Sequence, residues 1–225
     1  MNITPLGANG TSVAVCDSVS RSFGDVRAVQ DVYCALGAGQ RVVIVGPSGS
    51  GKSTLLHIIA GIEEPSSGVV SWPALGERDQ LRPRQVALIF QAPSLLAPLD
   101  VLENVALPLV LAGIDSEDAQ AAAHDALSRL NLDDLANRLP QELSGGQAQR
   151  VAVARVIAGR PRLVIADEPT GQLDRTTGAR MLDVLDAAVA DIGAALLLST
   201  HDPRVAARFD ARWTMSDGRL TVEAA

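Results

Sequence analysis

A chain of 225 residues with 47% hydrophobic side chains can bury the core of one domain with room for a subdomain. Its net charge of −7 argues against a general nucleic-acid binder, which carries a basic face. No apolar run approaches the roughly 18 residues that cross a bilayer, the N-terminus lacks the basic start of a secretory signal, and two cysteines suit a reducing cytosol.

In chain order, residues 13–15 and 29–34 read as short strands near a polar turn at 24–27. Cys16 and Cys34 read as small buried hydrophobes. The run Arg41-Val42-Val43-Ile44-Val45-Gly46 has the continuous apolar character of a buried parallel strand. A helix is predicted over 53–60, stopped by Gly61 and Pro65, and another strand over 86–90. The Pro- and Leu-rich stretch 92–113 reads as irregular, and 116–130 as an Ala-rich helix capped by Ser116. Ser144 begins a helix reaching about Ala158, 163–166 is a buried strand, and 177–192 is helical. A strand over 194–199 and a helix over 203–208 follow. Strands alternating with helices predict an α/β fold with a mainly parallel sheet.

The chain contains a single lysine, Lys52, beside 18 arginines. It lies in Gly46-Pro47-Ser48-Gly49-Ser50-Gly51-Lys52-Ser53, followed by Thr54, which fits the phosphate-binding pattern G-x-x-x-x-G-K-S. Glycines let backbone N–H groups turn toward phosphate oxygens, and the helix N-terminus adds positive potential. Ser53 is placed to ligate Mg²⁺. Four apolar residues end in Asp167-Glu168, which sets two carboxylates at the C-terminal end of a strand, where α/β sheets bind ligands. Asp167 can hold Mg²⁺ through water, and Glu168 can accept a proton from an attacking water. Leu143-Ser144-Gly145-Gly146-Gln147 combines a hydroxyl, two glycines and a helix start, a third place where phosphate can approach backbone.

Together these motifs resemble the ATP-binding subunits of ABC transporters over about residues 12–220. Their order matches: Phe23, the 46–53 loop, Gln91, Leu143–Gln147 as LSGGQ, Asp167-Glu168, Gly171-Gln172-Leu173-Asp174, then His201. The resemblance implies an α/β P-loop NTPase (RecA-like) core with a mainly parallel sheet, an N-terminal antiparallel β subdomain and an inserted α-helical subdomain. It implies one ABC ATPase domain over 1–225, with 1–91 and 150–225 as nucleotide core and 92–149 as helical subdomain. By resemblance, Phe23 stacks on adenine, the alternative being a buried core position. Gln91 contacts Mg²⁺ and water, Glu168 polarises the water, and His201 reaches the γ-phosphate. Ser144, Gly145, Gly146 and Gln147 bind ATP held by the opposite subunit, and Asp174 crosses the dimer interface. His57 and His124 lack such a setting and read as structural or solvated.

The implied function is ATP hydrolysis with Mg²⁺, in a homodimer sandwiching ATP and driving a membrane permease from the cytoplasmic face of the inner membrane. Leu95, Leu96, Leu99, Val101, Leu107 and Leu109 divide between subdomain core and a docking patch for that permease. The segments 93–99, 103–105 and 169–174 most resemble the lipoprotein-release, macrolide-export and cell-division branch, with Gln172 where Asn is usual. That branch implies an exporter or a system transmitting motion, the alternative being a regulatory ATPase that transports nothing. A shortened 68–91 segment implies a trimmed loop around 72–83, and an end at Ala225 implies no C-terminal regulatory domain. A GTPase is excluded because its N-K-x-D needs a second lysine. A chromosome-organising ATPase is excluded because no long coiled coil separates the loop from LSGGQ.

Overall fold

The computed structural model describes residues 12–82 and 84–223. The expectations about a leader over residues 1–11, about Pro83 and about the end at Ala225 lie outside the described residues. Strands β1 (Ser12–Phe23) and β2 (Val26–Gly37) are followed by β3 (Arg41–Val45), helix α1 (Lys52–Ile59) and β4 (Ser67–Ser71). Next come β5 (Val86–Ile89), α2 (Val101–Leu111), α3 (Ser116–Arg129) and α4 (Gly145–Ala158). The chain ends with β6 (Leu163–Asp167), α5 (Arg175–Asp191), β7 (Ala195–Thr200), the one-turn α6 (Pro203–Ala206), β8 (Ala211–Ser216) and β9 (Arg219–Glu223). They fall into two compact units, Met1–Leu81 with Ala195–Ala225, and Arg82–Ala194.

In the first unit β1 lies between β2 and β4, antiparallel to both. β3 lies between β7 and β8, parallel to each, and β9 folds back on β8. Val42, Val43 and Ile44 are fully buried, as are Leu196, Leu197 and Leu198, the double-sided burial expected of parallel strands. Each such side chain contributes about 1.5–3 kcal/mol relative to exposure. Cys16 and Cys34 sit opposite each other across β1 and β2, buried and unbridged, as the sequence predicted. A hydrogen bond with Cys16, then burial, holds the Cys34 thiol well above its ordinary pKa. The β4, β8 and β9 strands are absent from the sequence reading.

In the second unit β5 and β6 pair in parallel, and α2, α3, α4 and α5 pack beside one another. α3 buries Ala119, Ala123, Ala126 and Leu127, the three-to-four spacing of an amphipathic helix. The expected irregular stretch is overturned in its second half by α2. Asp100 accepts from Glu103 N at 2.8 Å while Glu103 accepts from Asp100 N at 2.9 Å, a closed capping box. Pro108 removes one intrahelical bond, and the packed helix tolerates that loss. The α3 cap is Asp115, one residue before the expected Ser116.

Candidate functional site

In the first unit, β3 delivers the chain into the glycine loop and α1 carries it away. Gly49 and Gly51 have φ of 77° and 101°, backbone that side chains rarely adopt. A Cβ on Gly51 would lie 2.0 Å from Ala28 O, and one on Gly46 would lie 2.2 Å from Met215 O. The loop is therefore moulded against the main chain of β2 and β8. The β8–β9 turn, Asp217-Gly218 with φ of 48° and 76°, fastens it from outside. Gly218 N donates to Ser50 O at 3.0 Å, and Gln30 N donates to Gly218 O at 2.7 Å.

Lys52 is 5% exposed, and its Nζ donates to Gly46 O and Pro47 O, each at 2.9 Å. The ammonium is thereby aimed along the loop. Ser50 Oγ is buried without a hydrogen-bond partner, the orphaned donor expected inside an oxyanion cradle. Ser53 is exposed, Thr54 is half-buried, and the first turn of α1 carries no acidic residue to offset its positive end. Phe23 ends β1 at 46% exposure, which overturns the buried-core alternative. The Arg21 guanidinium stacks 4.6 Å from its ring centroid. His201 is exposed directly after β7. Beside it the forked bond from Arg204 draws the Asp202 carboxyl down to about 2.

In the second unit, Asp167 ends β6 and Glu168 follows at φ 45°, a left-handed conformation costing a non-glycine residue about 1–3 kcal/mol. Glu168 O accepts from Gly171 N at 3.0 Å, closing the turn. A Cβ on Gly171 would fall 2.8 Å from Gln91 Nε2, so the Gln91 amide rests against this turn. Ser144 caps α4: Gln147 N donates to Ser144 Oγ at 3.3 Å and Ser144 N donates to Gln147 Oε1 at 2.8 Å. Gly146 lets α5 approach, since a Cβ there would meet Thr177 Cγ2 at 2.7 Å. Ser144, Gly146 and Gln147 line a cavity of about 370 Å³ with Arg150, Thr177 and Arg180. The two arginines went unnoticed in the sequence, although Arg150 lies three residues past LSGGQ.

Asp174 accepts from Thr176 N and Thr177 N, so α5 starts two residues before the predicted start at Thr177. The Thr177 hydroxyl and amide hold the Asp174 carboxyl below the usual range. Of the six apolar residues expected to divide between subdomain core and docking patch, Val101 and Leu109 are buried core, Leu95, Leu99 and Leu107 are half-buried, and Leu96 is exposed. Val110 and Leu111 of α2 are also exposed, the latter by 75%, and were missed because α2 itself was.

Among the described residues no helix is long and apolar enough to cross a membrane, and no group of three or more His, Cys, Asp or Glu side chains gathers into a metal site. The expected Mg²⁺ donors, the Ser53 hydroxyl, the Gln91 amide and the Asp167 carboxylate, are all hard oxygen groups. That set fits Mg²⁺, which keeps several waters and takes one or two carboxylates plus phosphate.

A glycine loop joining a buried parallel strand to a helix, in an α/β chain, defines a P-loop NTPase. Residues 29–171 match the family described as ABC transporter, and the chain belongs to that family as an ATP-binding subunit. It is similar to the lipoprotein-releasing system ATP-binding protein LolD of Chromohalobacter salexigens, at 38% identity covering 99% of each chain. The corresponding proteins of Shewanella oneidensis and Bordetella pertussis are 41% and 42% identical, covering 91% and 87% of this chain and 94% and 87% of theirs. An ATP-binding cassette solved as a post-hydrolysis dimer with ADP and Pi has a TM-score of 0.80 at 33% identity, covering 93% of this chain and 97% of its own. The cbiO1 protein of Clostridium perfringens, part of an ABC transporter complex, has a TM-score of 0.83 at 25% identity, covering 94% and 87%. The chain binds and hydrolyses ATP as a membrane-associated transporter subunit.

Proposed function

We propose that the chain works as a homodimer in which the glycine loop of one copy and the Ser144 helix start of the other close on the same ATP. The observation that carries this reading is the capped, acid-free N-terminus of α4 opening on a cavity within a chain that also holds a complete phosphate loop. An N-terminus with no acid in its first turn attracts a polyphosphate, and burying it between two positive cradles stabilises the closed pair. Lys52 and the loop amides neutralise the β- and γ-phosphates. Ser53, Asp167 and Gln91 would hold Mg²⁺, which supplies charge neutralisation across those phosphates. Phe23 stacks on adenine, Glu168 takes the proton of the attacking water, His201 reaches the γ-phosphate, and Asp174 crosses the interface between the copies. Catalysis is positioning plus electrostatics, and loss of the γ-phosphate contact lets the copies part.

For the work that hydrolysis drives, we infer release of lipoproteins from a membrane through a permease met at the cytoplasmic face. Similarity to lipoprotein-releasing ATP-binding proteins over nearly the whole chain supports this substrate class. The segment 92–149, with Leu96 and the α2 end at Val110 and Leu111, is the part that meets the permease. The test is proteoliposomes holding the co-purified membrane partner and a labelled lipoprotein. Addition of this chain with ATP is expected to release the lipoprotein, while Glu168→Gln releases none. Hydrolysis without release, by a chain that binds the partner, overturns the substrate class. Unchanged partner capture by Leu96→Asp overturns the docking surface.

A further inference from the structure

The helix that begins with the signature residues also holds the main chain on both sides of Gln91. Gln149, on α4 and 2% exposed, donates Nε2 to Phe90 O at 3.3 Å. Less than two turns further along α4, Arg155 donates Nη1 to Ser94 O and Nη2 to Pro93 O, both at 2.9 Å. A planar fork that reaches two successive carbonyls is what arginine supplies and lysine does not. The far end of the same stretch is fastened by Asn104, 1% exposed, which accepts from Leu96 N and donates to Leu96 O, Leu99 O and Asp100 O. Residues 90–100 are thus an irregular segment whose carbonyls are held by three side chains from two helices. Gln91 itself rests against Gly171.

An apolar residue would fill the volume around Arg155 without removing a guanidinium from water, a cost that burial imposes on this group and that shows as a lowered pKa. The arginine is therefore better explained by its two bonds than by packing. We propose that Gln149 and Arg155 are positioning residues for Gln91, tying its flanking backbone to the signature helix. This rests on the role proposed above for Gln91. The consequence is that Arg155 acts on hydrolysis through Gln91 and through no other group.

The test is a double-mutant cycle on the full chain, with the hydrolysis rate expressed per nucleotide-binding site. Arg155→Met is expected to lower kcat about tenfold with KM nearly unchanged, short of the ~100-fold that a 1 Å misplacement can cost. Arg155→Lys, which keeps the charge but not the fork, recovers part of that loss. In a Gln91→Ala background, Arg155→Met should change kcat less than about twofold, because residues acting through one another are not additive. Additive losses overturn the proposal and leave Arg155 a structural residue. Normal hydrolysis by Gln91→Ala alone overturns instead the role of Gln91, and the proposal with it. If Arg155→Met does not fold, Gln149→Leu takes its place in the same cycle, with the same two outcomes.

Discussion

The glycine loop and the signature start both lie at a helix N-terminus, yet they are built in opposite ways. The loop is shaped by backbone pressed on backbone, with Gly51 against Ala28 O and Gly46 against Met215 O. The signature start is shaped by side chains, with Ser144 and Gln147 closing a capping box and α4 reaching the Gln91 flanks through Gln149 and Arg155. A backbone mould holds one geometry or none. A side-chain mould can be weakened by degrees, which suits the half of the proposed shared site that would form and separate in each cycle.

The largest expected effect lies in the rigid half. Gly51→Ala forces a Cβ into Ala28 O at a φ of 101°, so about 3–5 kcal/mol of stability should disappear. Urea unfolding reads the loss, and titration with a fluorescent ATP analogue should show no binding. Ser144→Ala is expected to cost only about 1 kcal/mol, the value of an N-cap, and to leave ATP binding by the separate chain unchanged while hydrolysis falls. Equal damage from the two changes would erase the contrast between the halves. The smallest effect is at Asp202, beside His201. Its folded pKa of about 2 lies below the ordinary 3.8, so its contribution is complete above pH 3.8 and fades as pH falls toward 2. In Arg204→Ala a carboxyl titration followed by NMR should return Asp202 toward its ordinary value.

What was legible in the sequence follows the same division. The loop, the Asp167-Glu168 strand end and LSGGQ are each contiguous, so their chemistry can be read before any folding. Strand β3 and helix α1 were legible because a buried run ending in glycine allows few other structures. Helix α2 was not, because Pro108 and clustered leucines look like a loop, while the Asp100–Glu103 box that starts it is only four residues long. The β8–β9 hairpin carries a plain Asp217-Gly218 signal, and its role in holding Ser50 emerges only once the chain ends are brought together. The bonds of Gln149 and Arg155 join residues 59 to 62 positions apart, a separation at which no local pattern reports contact. The left-handed Glu168 was equally hidden, since the turn closed by Gly171 imposes it.

The central claim, that two copies share each ATP, is tested most directly by sedimentation of the Glu168→Gln chain with and without ATP. A monomer without ATP and a dimer at saturating ATP are expected, with Ser144→Arg in the same chain returning it to monomer although ATP remains bound. A chain that stays monomeric at saturating ATP, or a dimer that survives Ser144→Arg, would contradict the shared site.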